Sequence, residues 1–171
     1  MGLDILLRIK EKNMFLKRNK MKEKYRQIVF IVTYAEINKE TKYLILKRKM
    51  HWRGWEFPKG GINFPESRKS AVKREIYEET GKKTLKIKKF NFHGLYKYKK
   101  KLIDRKDFVG QAYSLYAVEV KYGKIKLDQS EHSEYKWLSF NDAVNKVTFQ
   151  NQKRSLGIIN KWLKEKSHEG S

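Results

Sequence analysis

From Ile28 to Ile37 the chain runs IVFIVTYAEI, β-branched and aromatic, the pattern of a buried strand. Asn38-Lys-Glu-Thr-Lys42 then reads as a turn, and Tyr43 to Lys49 as the partner strand of a hairpin. His51 to Gly61 (HWRGWEFPKGG) is rich in Gly, Trp and Pro and reads as a loop. Residues 66–80 change period: Ala71, Val72, Ile76 and Thr80 fall on one face of a predicted helix, and Gly81 follows where a left-handed C-terminal cap is expected. Between 84 and 100, Leu85, Ile87, Phe90, Phe92, Leu95 and Tyr96 alternate with lysines, which predicts one or two strands. Further strands are predicted over 111–120 and 135–138. Ser139 is placed to cap a short helix over 140–147, and Leu156, Ile159, Trp162 and Leu163 mark an amphipathic helix over 152–165.

Mixed strands with a helix inserted after the first hairpin make this an α/β or α+β chain rather than a helical bundle. No repeat, Gly/Ser linker or second domain is visible. The expected organisation is a basic extension over 1–24, one domain over 25–165 and a polar tail over 166–171. In the extension Leu3, Leu6 and Leu7 have helical spacing before a run of lysines. A docked helix, a frayed tail and an upstream translation start (Met14 and Met21 being alternatives) all fit that pattern.

Composition narrows the chemistry. The 171 residues suit one domain. No cysteine is present, which excludes disulfides, thiolate metal sites and a thiol nucleophile. Forty-one Lys and Arg against nineteen Asp and Glu give a net charge of +22, so polyanions such as phosphates or nucleic acid are the expected partners. A compositional bias of the source would give the same excess with no bearing on partners. No apolar run approaches a membrane span, and the N-terminal apolar stretch is too short and charged for a signal peptide, so a cytoplasmic location is expected.

The helix over 66–80 carries the sharpest candidate chemistry. Glu75, Glu78 and Glu79 stand at i, i+3 and i+4, so their carboxylates crowd one face and need compensation. A salt-bridged solvated face is one solution. A hard divalent cation, Mg²⁺ or Mn²⁺, is the other. Arg74 is four residues before Glu78 and is placed to orient it, and the preceding Gly60-Gly61 pair allows close backbone approach to a ligand.

The segment from Gly60 to Gly81, with Glu66, Arg74, Glu75, Ile76, Glu78 and Glu79 at their spacings, resembles the Nudix box, G-x5-E-x7-R-E-U-x-E-E-x-G-U. Lys82 departs from it, standing where an aliphatic residue is usual. The resemblance implies an α/β/α sandwich around a mixed β-sheet and Mg²⁺-dependent hydrolysis of a nucleoside diphosphate linked to another moiety. It implies that Glu75, Glu78 and Glu79 are metal ligands with Arg74 as their orienting partner, and that the Gly60 carbonyl adds a ligand. Glu66 and Gly81 would then support the loop and helix.

The flanks point two ways. Trp55-Glu-Phe-Pro-Lys-Gly60 shares its Lys with diadenosine tetraphosphate (Ap4A) hydrolases, and its Gly-Gly with RNA 5′-pyrophosphohydrolases. Ser130 to Leu138 is similar to the Ap4A hydrolase run S-x-E-H-x-x-Y-R-W-L, one residue shorter, which would make Glu131 an extra ligand or base; His132 is read as a structural group. Phe149 to Lys153 resembles a segment in which the aromatic borders the nucleotide pocket and the lysine meets phosphate, and Lys59 is a further phosphate candidate. Tyr96, Tyr98 and Tyr113 suit base stacking or ordinary packing. The expected function is cleavage of dinucleoside polyphosphates of the Ap4A type to ATP and AMP. The alternative is an RNA 5′-pyrophosphohydrolase, favoured by the charge. A non-catalytic nucleotide- or RNA-binding module would be expected to lack a box glutamate, and none is missing. Monomer and dimer both remain open.

Overall fold

The computed structural model describes residues 23–169; the expectations for residues 1–22 and the last two residues lie outside it. Seven strands form one mixed sheet: β1 (Tyr25–Ile37), β2 (Glu40–Arg48), β3 (Gly54–Glu56), β4 (Lys59–Gly61), β5 (Thr84–Lys97), β6 (Gly110–Val120) and β7 (His132–Leu138). The helices are α1 (Arg68–Thr80), α2 (Phe140–Lys146) and α3 (Gln150–Glu169).

The first turn is tighter than expected. Asn38 and Lys39 both take positive φ, 50° and 65°, the conformation that matches the twist of a two-residue hairpin, and β2 begins at once with Glu40. β1 also runs parallel to β6, from Tyr25↔Gly110 to Tyr34↔Glu119, and β5 completes that edge as one long strand with a register shift between Lys89 and His93. Away from the hairpin turn, beyond the Thr33↔Leu44 pair, β1 and β2 part. The gap is filled by β3, paired to β2 at 46–48, and β4, paired to β1 at 28–30. The expected loop over 51–61 thus contains two short strands and is built into the sheet.

Alternation along β1 divides the core. Ile28, Phe30, Val32 and Tyr34 face α2 and α3, packing with Ala143, Leu156, Ile159 and Leu163. Val29 and Ile31 face α1, with Ala71, Val72 and Ile76. Helices therefore cover both faces of a mixed sheet, the α/β/α sandwich. Ser67 caps α1 through the Ser70 N–H (3.1 Å), and Gly81, at φ 68°, closes it by donating to the Tyr77 carbonyl (2.8 Å). Lys82 takes no core place; its N–H bonds the Thr80 hydroxyl (3.1 Å). Ser139 caps α2 as expected. α3 starts two residues earlier than predicted and runs through the expected polar tail to Glu169. Tyr113 is core, against Phe30 and Phe92, and Tyr96 donates to Gln111. Among the described residues no helix is long and apolar enough to cross a membrane.

Candidate active site

The acids of α1 divide between two surroundings. The buried stripe of the helix is Ala71, Val72, Glu75, Ile76, Glu79 and Thr80, so Glu75 and Glu79 are carried inward by the same turns that bury the apolar residues. Glu78 lies on the flank, its side chain 53% exposed.

Arg74 organises the flank. Its guanidinium donates to both Glu66 oxygens (3.1 and 2.6 Å), to Glu75 Oε1 (2.7 Å), to Glu78 Oε2 (2.9 Å) and to the Gly61 carbonyl (2.7 Å). The expected Arg74–Glu78 pair is present. Glu66 also accepts the Asn63 N–H at 2.7 Å. Gly60 is required sterically: a Cβ there would fall 1.7 Å from Glu75 Cδ. A Cβ on Gly61 would fall 2.2 Å from Arg26 Nη2, so a second cation leans on the same loop.

Glu79 faces a different group. The segment after β6 runs along the end of α1, with the Lys126 N–H on the Thr80 carbonyl (3.0 Å) and the Asp128 N–H on the Glu79 carbonyl (3.3 Å). It delivers Glu131 and His132 to Glu79, and one ligand atom from each of the three lies within 4.8 Å of the others. Among the described residues this is the grouping of three such atoms; Glu75 and Glu78 are turned to Arg74 instead. Glu79 Oε2 is buried and accepts no hydrogen bond from the described residues, and His132 Nδ1 is likewise unpartnered. Buried polar atoms rarely stay unsatisfied without a reason. Two carboxylates and an imidazole suit a divalent cation, and the orphaned Glu79 oxygen supplies the free capacity.

Beneath this group lies Glu56, on β3 and fully buried. The sequence reading passed over it, although a lone acid inside Trp55-Glu-Phe57 was a usable signal. Arg48 Nη1 is 3.3 Å from Glu56 Oε1 and 2.5 Å from Glu131 Oε2, so one arginine ties the buried acid to the candidate ligand. Lys59 pairs with Glu56 Oε2, and His132 Nε2 is 3.5 Å from Oε1. Burial raises the Glu56 carboxyl, but Lys59, His132 and Arg48 outweigh it and hold it at about 2. Burial lifts Glu79 well above the ordinary carboxylate value, with Glu75 and Glu56 adding to the rise against Lys59 and Arg48. Glu75 is also raised by burial, against the pull of Arg74.

The remaining candidates are Lys59, Phe149 and Lys153. Lys59 is largely buried and engaged by Glu56, with its ammonium 5.9 Å from the Trp52 ring centroid. Phe149 is half exposed and stacks at a tilt on Trp52, 4.7 Å between centroids. Trp52 was also missed; it lies over Gly54, where a Cβ would come within 2.4 Å of its ring. Lys153 sits in the first turn of α3, its N–H on the Phe149 carbonyl. Gln152 and Thr148 fasten this corner to the sheet by accepting the Phe57 and Trp55 N–H groups (3.1 and 2.9 Å).

A family model described as "NUDIX domain" matches residues 24–157. The RNA pyrophosphohydrolase of a Nitratiruptor species is 32% identical over 134 residues, 75% of this chain and 86% of that protein. That of Campylobacter jejuni (serotype O:23/36, strain 81-176) is 26% identical over 146 residues, 82% of this chain and 93% of its own length. Among solved structures, the C. elegans Ap4A hydrolase binary complex superposes with a TM-score of 0.67 at 18% identity, covering 82% of this chain and 98% of that one, a likeness of fold.

Proposed function

Because the chain belongs to the Nudix family, we propose that its domain over residues 25–165 hydrolyses the phosphoanhydride at the 5′ end of RNA, leaving a 5′-monophosphate. The observation that carries a hydrolytic site is the orphaned Glu79 oxygen grouped with Glu131 and His132. The RNA substrate is supported by relatives described as RNA pyrophosphohydrolases and by the +22 charge, more than a small dinucleotide calls for.

In this reading Glu79 and Glu131 hold Mg²⁺ or Mn²⁺, with Glu75, Glu78 and the Gly60 carbonyl beside them. A bound divalent ion neutralises phosphate oxygens and acidifies water at the reacting phosphorus. The chain's residues do the rest. Arg74 fixes Glu75 and Glu78, so neither carboxylate reorients during the reaction. Arg48 holds Glu131 against the ion-paired floor. Lys59 and Lys153 meet phosphate, and Phe149 on Trp52 offers a face to the terminal base. A water oxygen bonds to phosphorus as the anhydride P–O bond breaks, and its proton passes to solvent or a site carboxylate.

Ap4A cleavage is the second reading, favoured by the Glu131–His132 run and its placement beside Glu79. Product analysis separates them: with Mg²⁺ and Glu78→Gln as blank, faster release of phosphate or pyrophosphate from 5′-triphosphorylated RNA than of ATP plus AMP from Ap4A is expected. The reverse order would replace the RNA reading with the dinucleotide one.

A further inference from the structure

Glu131 has a neighbour whose part in the site goes further than packing. His132 opens β7, and the ladder between β2 and β7 slips beside it: Lys47 faces Glu134, Arg48 faces His132, and Ser133 is the extra residue of a bulge. The Ser133 hydroxyl donates to the Lys47 carbonyl at 3.4 Å. Residues two apart on a regular strand share a face, and a bulge breaks that rule. The Glu134 side chain is 42% exposed and paired with Lys47, whereas the His132 ring is fully buried. A tight turn pins the chain just before the ring. The His132 N–H donates to the Asp128 carbonyl (3.0 Å), and the Asp128 carboxylate takes the Ser130 N–H (2.8 Å) and hydroxyl (2.7 Å). Bulge and turn together fix where the imidazole points.

The two ring nitrogens have different surroundings. Nε2 lies 3.5 Å from Glu56 Oε1. Glu56 is ion-paired with Arg48 and Lys59, so it is a carboxylate and can only accept. In the neutral ring the hydrogen therefore sits on Nε2, and Nδ1 carries the lone pair. Nδ1 is buried and meets no donor among the described residues. The neighbouring cations are committed elsewhere, Arg48 to Glu56 and Glu131, and Lys59 to Glu56. A buried lone pair with no donor is a cost unless an electrophile meets it. Glu79 Oε2 has the same unmet capacity, and Glu131 completes a group in which one ligand atom from each residue lies within 4.8 Å of the others. A carboxylate holding one imidazole nitrogen, while the other is left to a group of ligands, is the arrangement that fixes a metal-binding histidine.

We propose that His132 is a metal ligand through Nδ1, beside Glu79 and Glu131, with Glu56 as the residue that orients its ring. The proposal rests on the metal-binding part of the hydrolytic reading and adds a nitrogen donor to a site otherwise built of oxygens. That donor changes which ion the site prefers. Mg²⁺ takes oxygen ligands and keeps much of its water, whereas imidazole suits transition ions. The site therefore favours Mn²⁺ over Mg²⁺, and the buried Glu56 acts through the histidine rather than on the substrate.

The test is spectroscopic and needs no turnover. Pulsed electron paramagnetic resonance of the Mn²⁺-loaded protein is expected to show a directly bound imidazole nitrogen, and labelling histidine with ¹⁵N to move that signal. The chain has four histidines. A His51→Gln/His93→Gln/His168→Gln variant is expected to keep the signal and His132→Phe to lose it. Titration calorimetry gives the second readout. His132→Phe is expected to weaken Mn²⁺ binding about a hundredfold and Mg²⁺ binding far less, and Glu56→Gln to weaken Mn²⁺ binding about tenfold while keeping the nitrogen signal. Bound Mn²⁺ without a histidine nitrogen signal in the wild type, or a signal that survives in folded His132→Phe, would overturn the ligand while leaving the metal site standing. If His132→Phe does not fold, the triple variant decides, and loss of the signal there would overturn the proposal. Failure of the wild type to bind either ion would overturn both the ligand and the metal site.

Discussion

Two groups of carboxylates gather around one helix, and they are finished to different degrees. Around Arg74, the carboxylates of Glu66, Glu75 and Glu78 all receive charge-assisted hydrogen bonds, and the Gly61 carbonyl completes the guanidinium's set. One turn further on, Glu79 keeps an oxygen without a partner in the company of Glu131 and of a His132 whose Nδ1 has none either. The first arrangement is closed and stabilises the loop–helix junction. The second leaves bonding capacity in a buried place, which destabilises the empty protein and suits a ligand. The helix thus spends stability at one end and recovers it at the other.

The largest effect is expected where capacity is left open. Glu79→Gln should lower kcat on the preferred substrate by about a thousandfold, the several kcal/mol that charge stabilisation at the phosphorus is worth, with the far-ultraviolet spectrum unchanged. The same change should stabilise the metal-free protein at neutral pH. Glu79's folded pKa is raised, so the wild type loses stability as pH rises above the ordinary carboxyl value of 4.5, and the variant does not. Denaturant melts of the two proteins without metal should therefore converge in acid and separate toward pH 7; no separation would put Glu79 in the closed group.

Glu56→Gln is expected to act in the opposite sense. Its pKa is lowered from 4.5 to about 2 by Lys59, His132 and Arg48, so its ionisation stabilises the native state at neutral pH. That stabilisation is present above 4.5 and lost as pH falls toward 2. The variant should melt at lower urea than wild type at pH 7 and approach it in acid.

Arg74→Gln would leave the closed group without its centre. A loss of about 2 kcal/mol is expected from urea denaturation, because hydrogen bonds to charged groups are worth more than neutral ones but the guanidinium is partly exposed. Ser67→Ala should cost about 1 kcal/mol, the usual value for a lost N-cap, and should lower stability without changing the pH profiles, since one helix carries both groups.

The sequence carried much of this picture, for physical reasons that also mark where it fell short. The order of the long elements followed from period: β1 carries a β-branched and aromatic buried stretch from Ile28 to Ala35, β6 is largely apolar, and α1 repeats Ala71, Val72, Ile76 and Thr80 at helical spacing. The i, i+4 spacing placed Arg74 beside Glu78, whereas its bonds to Glu66 and Glu75 depend on how the loop before the helix folds back. Strands β3 and β4 were unreadable, since three residues show no alternation and exist only because β1 and β2 diverge. Grouping Glu75, Glu78 and Glu79 as equals was too simple: burial of the helix separates Glu79 from Glu78, and only tertiary packing brings Glu131 and His132 to it. Glu56, Arg48 and Trp52 escaped because their partners come from other segments of the chain.

The parallel pairing of β1 with β6, and the antiparallel pairing of β2 with β7 beyond it, also govern how the molecule comes together. Arg26 meets Gln111 and Leu46 meets Tyr135, contacts between distant stretches that cost loop-closure entropy before they return anything. Glu131 and His132 enter with the last strand of the sheet. During synthesis the glutamates of α1 are therefore made long before their neighbours, and the site closes only when almost the whole domain has left the ribosome.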